Sequence, residues 1–300
     1  MKVYVKTPNT RWVLDEIAKD FHRYTKHEIV TDAKDADIIW CVDVFSFGSV
    51  VNFNCLKVVS FHHFVKERSH EYNFDLLNKA DMVIVPNEIT QNDISGIIKA
   101  RICRLPYWIL SKGITDRNDY DVNTLKKTIC QNNETLIGSF VKDGNGKDGN
   151  TPKISKNPDL FIKVLEELKP MNMKVLLAGH AREYVKKNLD RLQIPYVYFQ
   201  KYHDLNMLYD CLDWYLVTAK YEGGPQSVLE AAFRKVKILS TKVGMAPEVL
   251  HKDCLCNSSR DFVDKINSNV CHKDFNRNVV LSRYMPDTVV PMYDSLFNNV

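Results

Sequence analysis

The feature that most restricts the fold of this 300-residue chain is a regular alternation of short apolar runs with amphipathic helical stretches. Runs such as Ile38–Val42, Val58–Phe61, Met82–Val85, Lys174–Ala178 and Trp214–Thr218 are too short for stable helices. They are continuous rather than alternating, the pattern of strands buried on both faces. Between them lie segments with helical spacing, as in Trp12, Val13, Ile17 and Phe21. Strand and helix in alternation demand parallel sheets with helices packed on both faces.

Two series of this kind follow one another. The first has strands at Val3–Thr7, Ile38–Val42, Val58–Phe61, Met82–Val85 and Ile102–Leu105. Asn9 or Thr10 is placed to cap its first helix, which runs to about Tyr24. A polar stretch from Ser111 to Asn133 reads as a linker with a helix around Val122–Cys130. The second has strands at Thr135–Phe140, Lys174–Ala178, Tyr196–Phe199, Trp214–Thr218, Lys237–Ser240 and, more weakly, Leu255–Asn257. Its helices are expected at Pro158–Leu168, Glu183–Leu192, His203–Cys211, Gln226–Arg234 and Ser259–Ile266. A single core rarely grows past about 250 residues, so two Rossmann-like domains are expected, at 1–115 and 116–278. The remainder, 279–300, is a C-terminal segment able to pack back on the first domain, its helix interrupted by Pro286 and Pro291.

The formal charge of +4 suits an anionic small ligand but is too small to argue for nucleic acid. No apolar run approaches the roughly 18 residues of a membrane span, and Met1–Val5 leads into a strand without a secretory signal, so a soluble cytoplasmic protein is expected, with peripheral membrane contact left open. Most of the eight cysteines sit inside apolar segments and lack the spacing of a disulfide scaffold, and Cys254, Cys256 and Cys271 read as buried free thiols. Cys254, Cys256, Cys271 and His272 fit no strong zinc pattern, and Asp35-Ala-Asp37 precedes a strand and reads as a turn cap, so no metal is expected.

The most specific constellation is Tyr221-Glu222-Gly223-Gly224-Pro225-Gln226-Ser227-Val228-Leu229-Glu230. It follows an apolar strand and opens a helix. Pro225 suits the first helical position, where its missing N–H costs nothing. The next amides, at Gln226 and Ser227, are then ready donors to sugar or phosphate oxygens. Gly223 and Gly224 let the backbone approach a ligand. Glu222 stands at the carboxyl end of a strand, where open α/β sheets bind ligands. Glu230 lies eight positions on. A carboxylate accepts two bonds from a vicinal diol, so the pair suits a sugar at one end and a ribose at the other.

This segment resembles the Glu-x7-Glu signature of the retaining group 1 glycosyltransferases, which have the GT-B fold: two Rossmann-like domains with parallel sheets facing a central cleft. Gly138-Ser139-Phe140, Lys156-Asn157-Pro158-Asp159, Leu177-Ala178-Gly179-His180 and Gly244-Met245-Ala246-Pro247-Glu248 resemble further family segments. The likeness covers the second half best, about Glu134–Asn257. It implies that Glu222 contacts the donor sugar and Glu230 the nucleotide ribose. Lys156, at a helix start capped by Asn157, would neutralise the departing diphosphate. The family often has an Arg where Ser139 stands; Lys142 or Lys153 of the Gly-rich stretch Lys142–Ser155 is then its substitute, and Gly144, Asn145 and Gly146 offer further amides. His62, or else His63, ends a strand at the place of a family histidine near the reacting centre. Tyr202 lies in the loop expected to meet the nucleobase. The family's Gly-Gly loop after the first strand is replaced by Pro8-Asn9-Thr10-Arg11.

The resemblance implies a metal-independent, cofactor-free, retaining transfer from a nucleotide-diphosphate sugar to a hydroxyl of a glycan, lipid or protein glycan. Catalysis would rest on Glu222, Lys156 and His62. Glu222, Gly223, Gly224, Pro225 and Gln226 would hold the donor sugar. Glu230, Lys156, Lys142, Ser139 and Tyr202 would hold the nucleotide. The alternatives are a nucleotide-sugar epimerase or hydrolase of the same fold, and a non-catalytic glycan- or nucleotide-binding module.

Overall fold

The apolar runs become strands because each is covered on both faces by helices, and their backbone groups then have only neighbouring strands to bond. The computed structural model describes all 300 residues apart from Arg11, Trp12, Arg117, Lys147, Asp148 and His203. The expectations that touch those positions (the Pro8–Arg11 loop, Trp12 on the first helix, two residues of the Gly-rich stretch and the start of the His203 helix) therefore lie partly outside the described residues. The chain divides into one unit made of Met1–Ser111 with Ser282–Val300 and a second made of Lys112–Leu281.

The first unit holds a six-stranded sheet in the order β2-β1-β3-β4-β5-β6. Its strands are β1 (Lys2–Lys6), β2 (Glu28–Ile29), β3 (Ile38–Cys41), β4 (Leu56–Ser60), β5 (Met82–Val85) and β6 (Arg101–Arg104), all parallel. Helix α1 (Val13–Tyr24) carries Asp15 and Glu16 in its first turn and His22 and Arg23 in its last, matching the helix dipole at both ends. The short helices α2 (Phe74–Leu77) and α3 (Glu88–Ile94) are capped by the side chains of Asn73 and Asn87.

One face of this sheet buries Ile39, Val59 and Val83 against Phe47, Phe61, Leu77 and Ile94. On the other side, Trp40 meets Phe21 of α1 edge-on at 4.9 Å and Tyr293 and Phe297 of the last helix, α12 (Pro286–Phe297), at 5.3 and 5.9 Å. The Trp40 indole N–H donates to Ser60 Oγ at 2.9 Å, so its polar atom is satisfied. Asp294 of α12 accepts from the Lys26 backbone N–H at 3.0 Å, fastening α12 to the end of α1.

The second unit repeats the architecture with the order β11-β10-β7-β12-β13-β14. It is built from α4 (Asp119–Ile129), β7 (Thr135–Ser139), α5 (Pro158–Glu167), β10 (Met173–Ala178), α6 (Glu183–Leu192), β11 (Tyr196–Phe199), α7 (Leu205–Cys211), β12 (Trp214–Val217), α8 (Gln226–Phe233), β13 (Lys237–Thr241), α9 (Ala246–Val249), β14 (Leu255–Cys256) and α10 (Ser259–Asn267). A small antiparallel hairpin, β8 (Gly144–Asn145) with β9 (Thr151–Pro152), stands within the Gly-rich stretch. The core gathers Phe161 and Leu165 of α5, Val175 and Leu177 of β10, Leu189 of α6, Leu216 of β12 and Phe262 of α10. Among the described residues no helix is long and apolar enough to cross a membrane.

Several expectations are corrected. From Lys112 on, the stretch read as a linker is part of the second unit, because α4, capped by Asn118, buries Val122 and Ile129. The polar helix α11 (Lys273–Arg283) precedes α12 and was not expected from the pattern. Pro286 starts α12 and Pro291 lies inside it without ending it. An internal proline costs about 3 kcal/mol, and the burial of Val289, Val290, Tyr293 and Phe297 outweighs it. Asp32, not Asp35 or Asp37, caps the 3₁₀ turn at Ala33–Asp35, while Asp37 accepts from the Lys2 N–H at 2.7 Å. Of the three thiols read as buried, Cys254 and Cys256 are buried and Cys271 is exposed.

Phe297 is fully buried among the rings of Phe21, His27, Trp40 and Tyr293. Replacing it with alanine should lower the unfolding free energy by about 3–5 kcal/mol. Met292→Ala on the exposed side of the same helix should cost less than about 0.5 kcal/mol. Denaturant titration of both variants checks the contrast.

Candidate functional site

In the second sheet, β7 is bonded to β10 on one side and β12 on the other. Chain order reverses between β7 and β12, and an open α/β sheet binds ligands outside the carboxyl ends of the strands at such a point. The loops that leave these two strands carry Lys156 and Glu222.

These loops are tied together by backbone bonds. The amides of Lys220 and Tyr221 both donate to the Ser155 carbonyl, at 2.9 and 3.1 Å. Thr218 Oγ1 reaches the Asn157 carbonyl at 3.4 Å, and Thr241 Oγ1 donates to the Ala219 carbonyl at 2.6 Å. Gly244, with φ of +52°, presses against the turn from the next loop: a Cβ there would lie 2.6 Å from the Gly223 carbonyl oxygen and 2.9 Å from that of Glu222. Only glycine fits at this contact, so Gly244 sets the height of the Glu222–Gly223 backbone.

Within this frame the Lys156 ammonium forms an ion pair with the Glu222 carboxylate. Their side chains are 18% and 10% exposed, so the pair is largely shielded yet reachable from solvent. Asn157 adopts the left-handed conformation, φ 49° and ψ 55°, and makes no side-chain cap to α5. The expected cap is therefore absent, because this backbone turns the asparagine side chain away from the first amides. Pro158 does occupy the first helical position.

Pro225 corrects the reading of α8 by one residue. It is the N-cap, with extended ψ of 105°, and its carbonyl already accepts the first helical bond from the Val228 N–H at 2.8 Å. Gln226 and Ser227 thus hold the first two helical positions, and their amides precede the first intrahelical bond. Gly223 is buried and Gly224 half-buried beside them.

Glu230 lies one turn into α8 and is buried. Its Oε2 accepts from the Tyr209 hydroxyl at 2.9 Å. Burial pushes its carboxyl above the ordinary range, opposed by the Tyr209 bond and the charge of Lys112. Tyr209 packs edge-on against Tyr215 at 5.2 Å, and the Tyr215 hydroxyl accepts from the Phe140 N–H at 3.3 Å. Burial lifts Tyr215 to about 12. The end of β7 and the first turn of α8 are thereby linked through two tyrosines. Tyr209 is a functional candidate with no signal in the sequence, since it reaches Glu230 across 21 residues.

The buried Ser139 contributes its carbonyl, which accepts from Arg182 Nη1 at 2.6 Å. Arg182, fully buried, also bonds the Ala178 carbonyl at 3.0 Å and pairs with Asp143 at 2.9 Å. This buried pair anchors the Gly-rich stretch to the ends of β7 and β10. Lys142 and Lys153 are half-buried on the same stretch. Tyr202 stacks edge-on with Phe199 at 5.0 Å, and its hydroxyl lies 3.5 Å from Met207 Sδ.

His62 belongs to the first unit, just after β4. Its Nε2 faces the Val42 carbonyl at 2.6 Å, and its Nδ1 accepts from the Tyr107 hydroxyl. Both ring nitrogens are engaged, which describes a neutral imidazole, and burial lowers its pKa to about 4. The neighbouring His63 is half-buried.

Two pH effects follow. A carboxyl whose folded pKa is raised is best tolerated at low pH, and its burial costs stability once it ionises. Glu230→Gln keeps an acceptor for Tyr209 and should raise the unfolding midpoint at neutral pH, the gain vanishing below the ordinary glutamate value of 4.5. For His62 the sign is opposite: between the ordinary 6.5 and about 4, only the unfolded chain takes up the proton. Acidification across that window should remove about 3 kcal/mol of stability, and His62→Gln should lack that part of the slope. Chemical denaturation at a series of pH values reads both.

Residues 149–271, which include Lys156, Glu222 and Glu230, match the family model described as glycosyl transferases group 1. A search of curated protein sequences finds no match. Among solved structures, Anabaena HepE in complex with UDP and glucose superposes with a TM-score of 0.80 at 13% identity, covering 100% of this chain and 99% of that one. A glycosyltransferase from Rickettsia africae gives 0.73 at 13% identity over 99% and 97% of the two chains. Sucrose-phosphate synthase from Thermosynechococcus elongatus gives 0.71 at 13% over 97% and 79%. With two parallel six-stranded sheets and these neighbours, the chain has the GT-B fold, and residues 149–271 of its second unit are similar to the glycosyl transferases group 1 model.

Proposed function

We propose that this protein is a retaining glycosyltransferase that moves a sugar from a nucleoside diphosphate sugar to a hydroxyl group, with no metal or cofactor in the reaction. The observation that carries this reading is the shielded Lys156–Glu222 ion pair at the mouth of α8, with Glu230 held by Tyr209 one turn below. A UDP-sugar is the first donor to test, since the HepE neighbour was solved with UDP-glucose.

In this reading the ion pair is a resting state. A diphosphate offers the Lys156 ammonium a more highly charged partner, and α8 adds its dipole and the amides of Gln226 and Ser227. Glu222, released from the ammonium, accepts hydrogen bonds from hydroxyls of the donor sugar. Glu230 accepts from the ribose hydroxyls, its orientation fixed by Tyr209. The acceptor oxygen then bonds to the anomeric carbon on the face from which the diphosphate departs. The glycosidic C–O bond to phosphate breaks, and the leaving phosphate oxygen takes the acceptor proton. The products are the nucleoside diphosphate and a glycoside of unchanged anomeric configuration. Charge on the leaving group is the quantity the site stabilises, so Lys156 acts chiefly on kcat.

Glu222→Ala should abolish transfer while UDP still binds. Glu230→Ala should weaken UDP binding about tenfold or more. Lys156→Ala should lower kcat by about 10²–10³. Calorimetry with UDP, GDP and ADP, followed by an assay with the matching sugar nucleotide and NMR of the product anomer, checks each point. Normal turnover in both Glu variants, or an inverted product, overturns the assignment.

A further inference from the structure

A second cluster of ligating side chains lies on the second unit, apart from the residues assigned to the donor. His251 follows α9, Asp253 sits in the single 3₁₀ turn Lys252–Cys254, and His272 immediately precedes α11. Asp253 Oδ2 lies 3.4 Å from His251 Nδ1 and 3.2 Å from His272 Nε2. All three ligand atoms fall within 4.8 Å of one another. The two imidazole rings stack face to face with centroids 3.7 Å apart and planes 18° from parallel.

We propose that His251, Asp253 and His272 form a structural site for a divalent transition-metal ion of the zinc class. Two imidazoles and one carboxylate are the donors such an ion prefers. With metal–ligand bonds of about 2.0–2.2 Å, a tetrahedral ion separates its ligands by about 3.3–3.5 Å. The two edges that meet at Asp253 already have that length. The two nearly parallel rings present their in-plane lone pairs side by side, so binding requires one ring to turn out of the stack until both lone pairs point at the ion. The side chains of His251, Asp253 and His272 are 27%, 49% and 30% exposed, so a hydrated ion can enter and keep one water as its fourth ligand.

The surroundings hold His251 ready. Its backbone N–H donates to Asn276 Oδ1 at 2.8 Å, and Asn276 is buried in α11. Phe275, also on α11, sets its ring edge-on to the imidazole at 5.2 Å. At present His251 Nδ1 accepts the Asp253 N–H at 3.3 Å, a long bond that the metal would replace. The ion would staple the turn after α9 to the first turn of α11, the helix through which the chain leaves this unit. The cysteines that cluster in the sequence here take no part in the group: Cys254 and Cys256 are buried, and Cys271 is exposed.

The test uses the full chain stripped of metal and titrated with zinc chloride, by calorimetry and thermal unfolding, with cobalt(II) as the spectroscopic probe. One zinc per chain should bind with micromolar or tighter affinity and raise the unfolding midpoint. Cobalt should give the intense visible bands of a four-coordinate site. His272→Ala should abolish the response, Asp253→Asn should weaken it at least tenfold, and Cys271→Ser should leave it unchanged. Donor binding should survive in all three, since none of these residues belongs to the donor site. Equal zinc response in wild type and His272→Ala overturns the proposal. So does a six-coordinate cobalt spectrum, loss of binding in Cys271→Ser, or a melting curve that follows histidine protonation and ignores the metal.

Discussion

The structure of the second unit turns on the pairing of β7 with β12. Neighbouring parallel strands cannot be joined by a tight turn, so the chain must leave each at its carboxyl end and return through a helix. Where the order reverses, one connection runs to each side and the space above the strand ends stays open. Everything in the candidate site is arranged around that opening. Ser155 from one loop accepts the two amides that follow β12, and Gly244 from the next loop limits how far the Glu222 turn can rise. The Lys156–Glu222 pair is therefore held by backbone geometry from three separate loops.

The second unit buries two ion pairs, and their energetic cost bears on what they are for. A buried ion pair contributes little net stability compared with apolar packing, so Arg182–Asp143 and Arg234–Asp210 are poorly explained as fold stabilisers alone. Both tie a loop to a strand or helix end. Arg182 bonds the carbonyls at the ends of β7 and β10 and, through Asp143, the base of the β8–β9 hairpin. Arg234 at the end of α8 bonds Asp210 of α7 and the Thr115 carbonyl. Directional bonds of this kind fix position where an apolar contact would let the loops slide. Glu230 is buried as well, but its hydrogen-bond partner among the described residues is the neutral Tyr209 hydroxyl, which leaves the carboxylate with capacity for a ligand.

What the sequence revealed, and what it hid, divides by the range of the interaction responsible. Met82–Val85, Glu183–Leu192 and Tyr196–Phe199 were placed to the residue, because a continuously apolar strand or a helix with a strong apolar stripe carries its own signal. The helices α2 and α3 and the strand β2 were not placed, since pieces of two to seven residues are held by what packs on them. α11 is polar and buries only Asn276 and Val280, so its pattern is weak. In the site, Glu222, Glu230 and Lys156 were legible because each stands at a fixed offset from a helix start. Tyr209 and Arg182 were not, because their partners lie across the unit. Pro225 was misplaced by one position for a local reason: a proline fits both the N-cap and the first helical position, and only the Val228 bond to its carbonyl separates them.

The Gly-rich stretch between β7 and α5 shows how composition and tertiary contact combine. Glycine and asparagine alone would leave such a connection loose. Here the Gly144 N–H donates to the Ala181 carbonyl at 2.9 Å, the Tyr184 N–H donates to the Gly149 carbonyl at 2.9 Å, and a Cβ on Gly149 would lie 2.5 Å from the Ala181 backbone. The glycines therefore serve to let the hairpin dock flush on the entry to α6, and the asparagine that follows the stretch, Asn157, turns the chain left-handed into α5. A stretch that looks flexible in composition is anchored at both ends, and that anchoring is what holds the Lys156 ammonium opposite Glu222 before any ligand arrives.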